Sequence, residues 1–156
     1  VMVSQNFGAR KAHRIIDFLK TAVLTISLLS LASIATLLTF SESIILLFIG
    51  GTENQKTVFL ATEFLFYVWP LFIFAGFNML ISGYLTAIHR PFQSGLVAVC
   101  RSLILPAGLL MLFYTVVNDF RFVVALPVAE GLTFLLAAAI FLKNMPIDVV
   151  TKSTRE

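Results

Sequence analysis

The chain has 156 residues, of which 59% are hydrophobic and 12% charged, and its mean hydropathy is +0.98. Soluble domains carry about 25% charged residues, so this composition excludes a surface that faces water on every side. The net charge of +3 does not point to nucleic acid, because the few basic residues lie between apolar runs, where juxtamembrane anchoring accounts for them.

Residues 1–9 lack the basic region, short apolar stretch and small cleavage residues of a signal peptide, and position 1 is Val. The expectation is a chain that starts inside a longer protein, with residues 1–14 as a cytoplasmic loop. A helix crossing the hydrocarbon core needs about 20 predominantly apolar residues. Four stretches qualify, at 15–40, 59–88, 92–117 and 122–142. They do not alternate polar with apolar residues, so a closed barrel is ruled out and helices are the remaining way to satisfy the backbone in lipid. The fold class is an all-α membrane protein with a four-helix transmembrane part over residues 15–142.

The connections follow in order. Residues 41–51 (SESIILLFIGG) read as a short interfacial helix ending in a Gly pair, and 52–57 as a polar loop. His89-Arg90-Pro91 forms a tight turn, with Pro91 suited to a helix start. Residues 118–121 form a second turn. Residues 143–156 read as a poorly ordered cytoplasmic tail.

Orientation comes from the Lys/Arg distribution. With the N-terminus inside, the inner side holds Arg10, Lys11, Arg14, Lys20, Arg90, Lys143, Lys152 and Arg155, against Lys56 and Arg121 outside. Both chain ends are then cytoplasmic. Pro70, Pro106 and Pro127 lie within three of the four spans, where each removes a backbone donor and tends to kink its helix. Such kinks either reflect the general abundance of proline in membrane helices or open a cavity for transport.

Arg101 and Glu130 are the ionisable residues well inside the spans, and such residues mark a pathway or a buried pair. Counting about 1.5 Å per residue, Arg101 lies roughly 14 Å and Glu130 roughly 18 Å from the same end of adjacent antiparallel helices. The spacing therefore predicts that the two charges meet near the midplane. One reading is a static pair that fixes packing. The other is a coupling site in which Glu130 takes part in cation or proton binding, and Arg101 lowers or restores its proton affinity as the two separate. Asn78 falls in the same layer, with Ser82 one turn further on its face and Thr133 on the face of Glu130. These residues are either interhelical hydrogen-bonding groups or parts of the site. Gly76, Gly83, Gly95 and Gly108 are candidates for close helix approach.

Phe64, Phe66, Tyr67 and Trp69 read as interfacial anchors or as cavity walls for flat organic cations. Tyr67, Trp69 and Tyr84 are the substrate-cavity candidates. His89 reads as a solvated turn residue, and Glu63 as a cap at its helix start. Cys100 is the only cysteine, so no disulfide forms within the chain. No phosphate loop, metal-ligand spacing or Ser/His/Asp group is recognisable. The chain reads as a non-enzyme without a cofactor.

Several stretches taken together resemble the C-terminal part of a multidrug and toxic compound extrusion (MATE) transporter. They are SQNFGAR at 4–10, SESIILLF at 41–48, GFNMLISGYLTAI at 76–88 and ALPVAEGLT at 125–133. In a fold of twelve helices in two lobes, the chain is similar to helices nine to twelve. The resemblance implies alternating-access export of drugs or organic cations, coupled to sodium or protons. It also implies a bacterial inner (plasma) membrane, contact with membrane lipid, and an N-terminal lobe plus two further helices as partners. A segment of this size is not expected to transport alone. The sodium-coupled branch carries a carboxylate on the helix matching 59–88. Here no Asp or Glu lies between Phe64 and Ile88, which leaves Glu130 as the midplane carboxylate. A lipid-linked oligosaccharide flippase of the same superfamily is the alternative, though more cationic cavity residues than Arg101 would be expected of it. A small oligomeric four-helix structural membrane protein is the other.

Overall fold

The computed structural model describes residues 1–49, 55–116 and 120–152. Every regular element among them is helical. In chain order these are α1 (Met2–Gly8), α2 (Ala12–Ile49), α3 (Gln55–Val68), α4 (Leu71–Ala87), α5 (Pro91–Val99), α6 (Leu105–Val116), α7 (Ala125–Leu142) and α8 (Pro146–Lys152). A π turn at Cys100–Ile104 joins α5 to α6, and a 3-10 turn at Phe120–Val124 leads into α7. Three stretches are long and apolar enough to cross a membrane, and α3 with α4 forms a fourth, bent by 50°. None of the most apolar window of α2 is buried within the chain. That face must meet lipid or further protein, because water would leave it uncompensated.

The breaks have identifiable causes. Pro70 lacks an N–H, and its ring opposes the carbonyl four residues earlier. Helix α3 accordingly ends at Val68, and Pro70 caps α4 with φ −65°. Pro106 presents the same conflict to Ser102, and the chain widens there into the π turn, in which the Leu105 N–H reaches back to Cys100 O. Pro127 behaves differently from expectation. It is the third residue of α7, where first-turn N–H groups have no intrahelical partner, so it costs no hydrogen bond and α7 runs unbroken.

Two connections also differ from the sequence expectation. The supposed loop at 1–14 contains α1 and the start of α2. A separate short helix does follow residue 40, as expected: the run Ala12–Ile49 is two helices that meet at a kink at Phe40 (φ −118°, ψ 20°). Gln55–Thr57, expected in a loop, begin α3. The Gly pair at 50–51 and residues 118–119 of the second turn lie outside the described residues.

Within the supposed disordered tail, Pro146–Lys152 form α8, whose Val149 and Val150 are buried in the same cluster as Ile15, Leu85 and Val97, and residues 153–156 lie outside the described residues. Burial of these two side chains offsets part of the entropy of ordering the short helix. Asn144 locks the approach: its carbonyl accepts from the Tyr84 hydroxyl at 2.6 Å, and its amide donates to Gln93 Oε1 at 3.0 Å and Ile140 O at 2.8 Å.

Helices α1 and α4 end in the same way. Arg10 and His89 take positive φ (55° and 60°). Around them the N–H groups of Lys11 and Arg90 bond to Asn6 O and Leu85 O, and those of Arg10 and His89 bond to Phe7 O and Thr86 O. This paired closure satisfies the last carbonyls of each helix. The two turns adjoin, with the Phe7 and His89 rings 5.9 Å apart, and His89 is exposed as expected.

The centre of the bundle is the pair α4 and α7. Asn78 contacts Glu130 and Tyr84 contacts Asn144, so the two helices run in the same direction. Helix α4 presents Phe74, Phe77, Asn78, Ile81, Tyr84 and Leu85, spaced as one helical stripe. Helix α7 answers with Ala129, Thr133 and Ala137, each at most 1% exposed and spaced by four, the small-residue interface of membrane helices. The glycines contribute less than expected. A Cβ on Gly76 would lie 2.5 Å from Ile26 Cγ2, whereas Gly83, Gly95 and Gly108 have open space around them. Gly76→Ala is therefore expected to cost about 1–3 kcal/mol by overpacking, while Gly83→Ala gains roughly 0.5–1 kcal/mol from helix propensity. Thermal unfolding of the two variants in detergent should move in opposite directions.

Candidate functional site

Apolar helices hide most of their hydroxyls locally. Thr21, Thr25, Ser27, Thr36 and Thr62 each donate to the carbonyl four residues earlier. A hydroxyl can do this because its short side chain reaches its own backbone. Carboxylate, guanidinium and amide groups demand partners from other helices, and the structure brings three of them together.

Glu130 leaves α7 toward the bundle interior and is 8% exposed. Its Oε1 accepts from Arg101 Nε at 2.8 Å, and its Oε2 from Asn78 Nδ2 at 2.6 Å. The same Asn78 amide also donates to the Glu130 backbone carbonyl at 3.0 Å. Two acceptors on one side fix which way the amide faces. Asn78 is fully buried, and its Oδ1 has no hydrogen-bond partner among the described residues. Arg101 stands in the π turn with its side chain 26% exposed. Its Nε bond to Glu130 is single rather than a two-pronged clamp. The group is thus an ion pair of zero net charge plus one amide, and it holds one unmet acceptor inside an apolar bundle.

The remaining candidates lie apart from this carboxylate. Ser82 shares the face of Asn78 but pairs with Ser94 Oγ at 2.9 Å. Thr86 also donates to Ser94 Oγ, at 2.8 Å, so three hydroxyls tie α4 to α5. The Thr133 hydroxyl donates to Ala129 O at 2.8 Å, which places its donor within α7 rather than on Glu130. Tyr84 is buried and bonded to Asn144, at the far end of α4 from the aromatic run. Tyr67 and Trp69 are half-buried at the end of α3. Glu63 accepts from Tyr67 Oη at 3.4 Å and lies two turns into α3, so it does not cap that helix. Ser94, Gln93 and Asn144 were not singled out from the sequence. Their only signal was position, as the first polar residues beside a turn or a helix end.

A family model described as MatE matches residues 1–118. No curated protein and no solved structure matches the chain. The matched stretch contains Asn78 and Arg101 and ends before α7.

Removing one partner of a buried pair leaves the others desolvated without compensation. Glu130→Ala is expected to cost about 3–5 kcal/mol, and the double variant Glu130→Leu with Arg101→Met is expected to recover most of that loss. Chemical unfolding in detergent of the wild type and both variants measures the difference.

Proposed function

The chain belongs to the MatE family, a family of membrane transporters, and on that premise we propose that it forms the C-terminal bundle of a cation-coupled antiporter. The cargo is a drug or other organic cation, exported by alternating access, with sodium or a proton moving the other way. The supporting observation is the buried Glu130 carboxylate, shared between Arg101 on one segment and Asn78 on another. A charge this far from water is costly. Its single bond to Arg101 can be exchanged for a bond to an incoming cation. Competition between the guanidinium and the cation for Oε1 would link ion entry to separation of α7 from the π turn. Under this proposal the membrane is the bacterial inner membrane, both ends of the chain face the cytoplasm, and an N-terminal lobe with two more helices completes the pathway.

The test is Glu130→Gln in the full-length transporter, with efflux assayed while sodium and proton gradients are varied separately. Gradient-driven efflux is expected to fall by about tenfold or more, the equivalent of ~1.4 kcal/mol. Glu63→Gln, outside the polar group, should leave it unchanged. Efflux by Glu130→Gln that keeps both its rate and its ion dependence rejects the proposal.

A further inference from the structure

An apolar trough runs beside α2. Its deeper part, about 240 Å³, lies between α2, α4 and α7, with Leu19, Val23, Phe77, Phe134 and Phe141 among its walls. A second part, about 290 Å³, continues between α2 and α8 past Met145 and Ile147 and shares Leu19, Val23 and Phe141 with the first. Leu19, Val23 and Phe141 border both parts, so the two adjoin along α2. Phe134 to Leu142 spans eight residues of α7, roughly 12 Å at helical rise, and Met145 lies three residues beyond that helix's end. One leaflet of hydrocarbon is about 15 Å deep. The one hydroxyl on the walls, that of Tyr84, is already spent on Asn144.

The single ionised residue lining the trough is Lys20, at the α8 end, where its side chain is exposed. Exposed Arg14 and Lys143 lie at the same end of the bundle. The carboxylates of that end, Asp17 and Asp148, do not line the trough. A transmembrane helix is about 10 Å across, too wide for either part. A lipophilic cation would be repelled by Lys20. A flexible chain carrying a negative head satisfies both the shape and the charge.

We propose that this trough is a binding site for an anionic phospholipid, with an acyl chain along α2 and the phosphate at Lys20. The site is independent of Glu130 and of the transport cycle assigned above. It gives α8 a role beyond covering the core, because α8 supplies one wall.

The test uses the full-length transporter purified in detergent, stripped of lipid and offered phosphatidylglycerol or phosphatidylcholine, with retention read by native mass spectrometry. Reversing one charge near a phosphate removes an attraction and adds a repulsion, which corresponds to about a tenfold loss of phosphatidylglycerol retention for Lys20→Glu. Lys20→Arg should retain it. Ile147→Trp, which fills the α8 part, should also lower retention of phosphatidylglycerol. Both Lys20 and Ile147 are exposed, so neither substitution disturbs the core. Equal retention of the two lipids by the wild type overturns the proposal. So does wild-type retention of phosphatidylglycerol by Lys20→Glu or by Ile147→Trp.

Discussion

Hydrocarbon offers no hydrogen bonds, so every polar group that enters it must bring or find a partner. In this chain that rule is hardest on Glu130. Its carboxylate takes one donor from α4 and one from the turn between α5 and α6, and those two bonds tie together segments far apart in sequence. Hydroxyls such as those of Thr21, Thr25, Ser27, Thr36 and Thr62 bond to their own helix and place no demand on their neighbours. The carboxylate cannot do so, and it therefore defines where α7 sits against α4 and how the π turn is aimed.

Packing follows the same logic. Lipid tails are as apolar as leucine, so burial between helices wins little unless backbones come close. Ala129, Thr133 and Ala137 allow α7 to approach α4 closely, and the aromatic rings of Phe74 and Phe77 close over Phe134, with centroids 5.6 and 6.0 Å apart. Where α4 meets α2, Gly76 serves the same purpose against Ile26. The outward faces of α2 and α6 remain apolar and exposed, as expected of faces that meet lipid or further protein.

The polar group and the trough are built from different side chains of α4 and α7: Asn78 and Glu130 meet Arg101, while Phe77, Phe134 and Phe141 form the wall toward α2. The breaks at Pro70 and Pro106 fall on the helices that carry Asn78 and Arg101.

Composition and run length alone determined that the chain is an all-helical membrane protein, because the bilayer sets both the length and the polarity of a span. Equal depth along neighbouring helices was enough to bring Arg101 and Glu130 together on paper, with Asn78 in the same layer. Facing direction was not legible, since it depends on rotation about each helix axis and on which helices pair. That is why Ser82 turned out to serve Ser94, and Thr133 its own backbone. The same limit applied to Gly76, Gly83, Gly95 and Gly108, of which Gly76 alone lies against another helix. Proline marked the breaks at Pro70 and Pro106, but only the 3-10 entry to α7 decided that Pro127 costs no bond. The tail looked polar in sequence, yet two valines and Asn144 dock it as α8. Tertiary contact decided that, because burial depends on what lies opposite a residue and not on the residue alone.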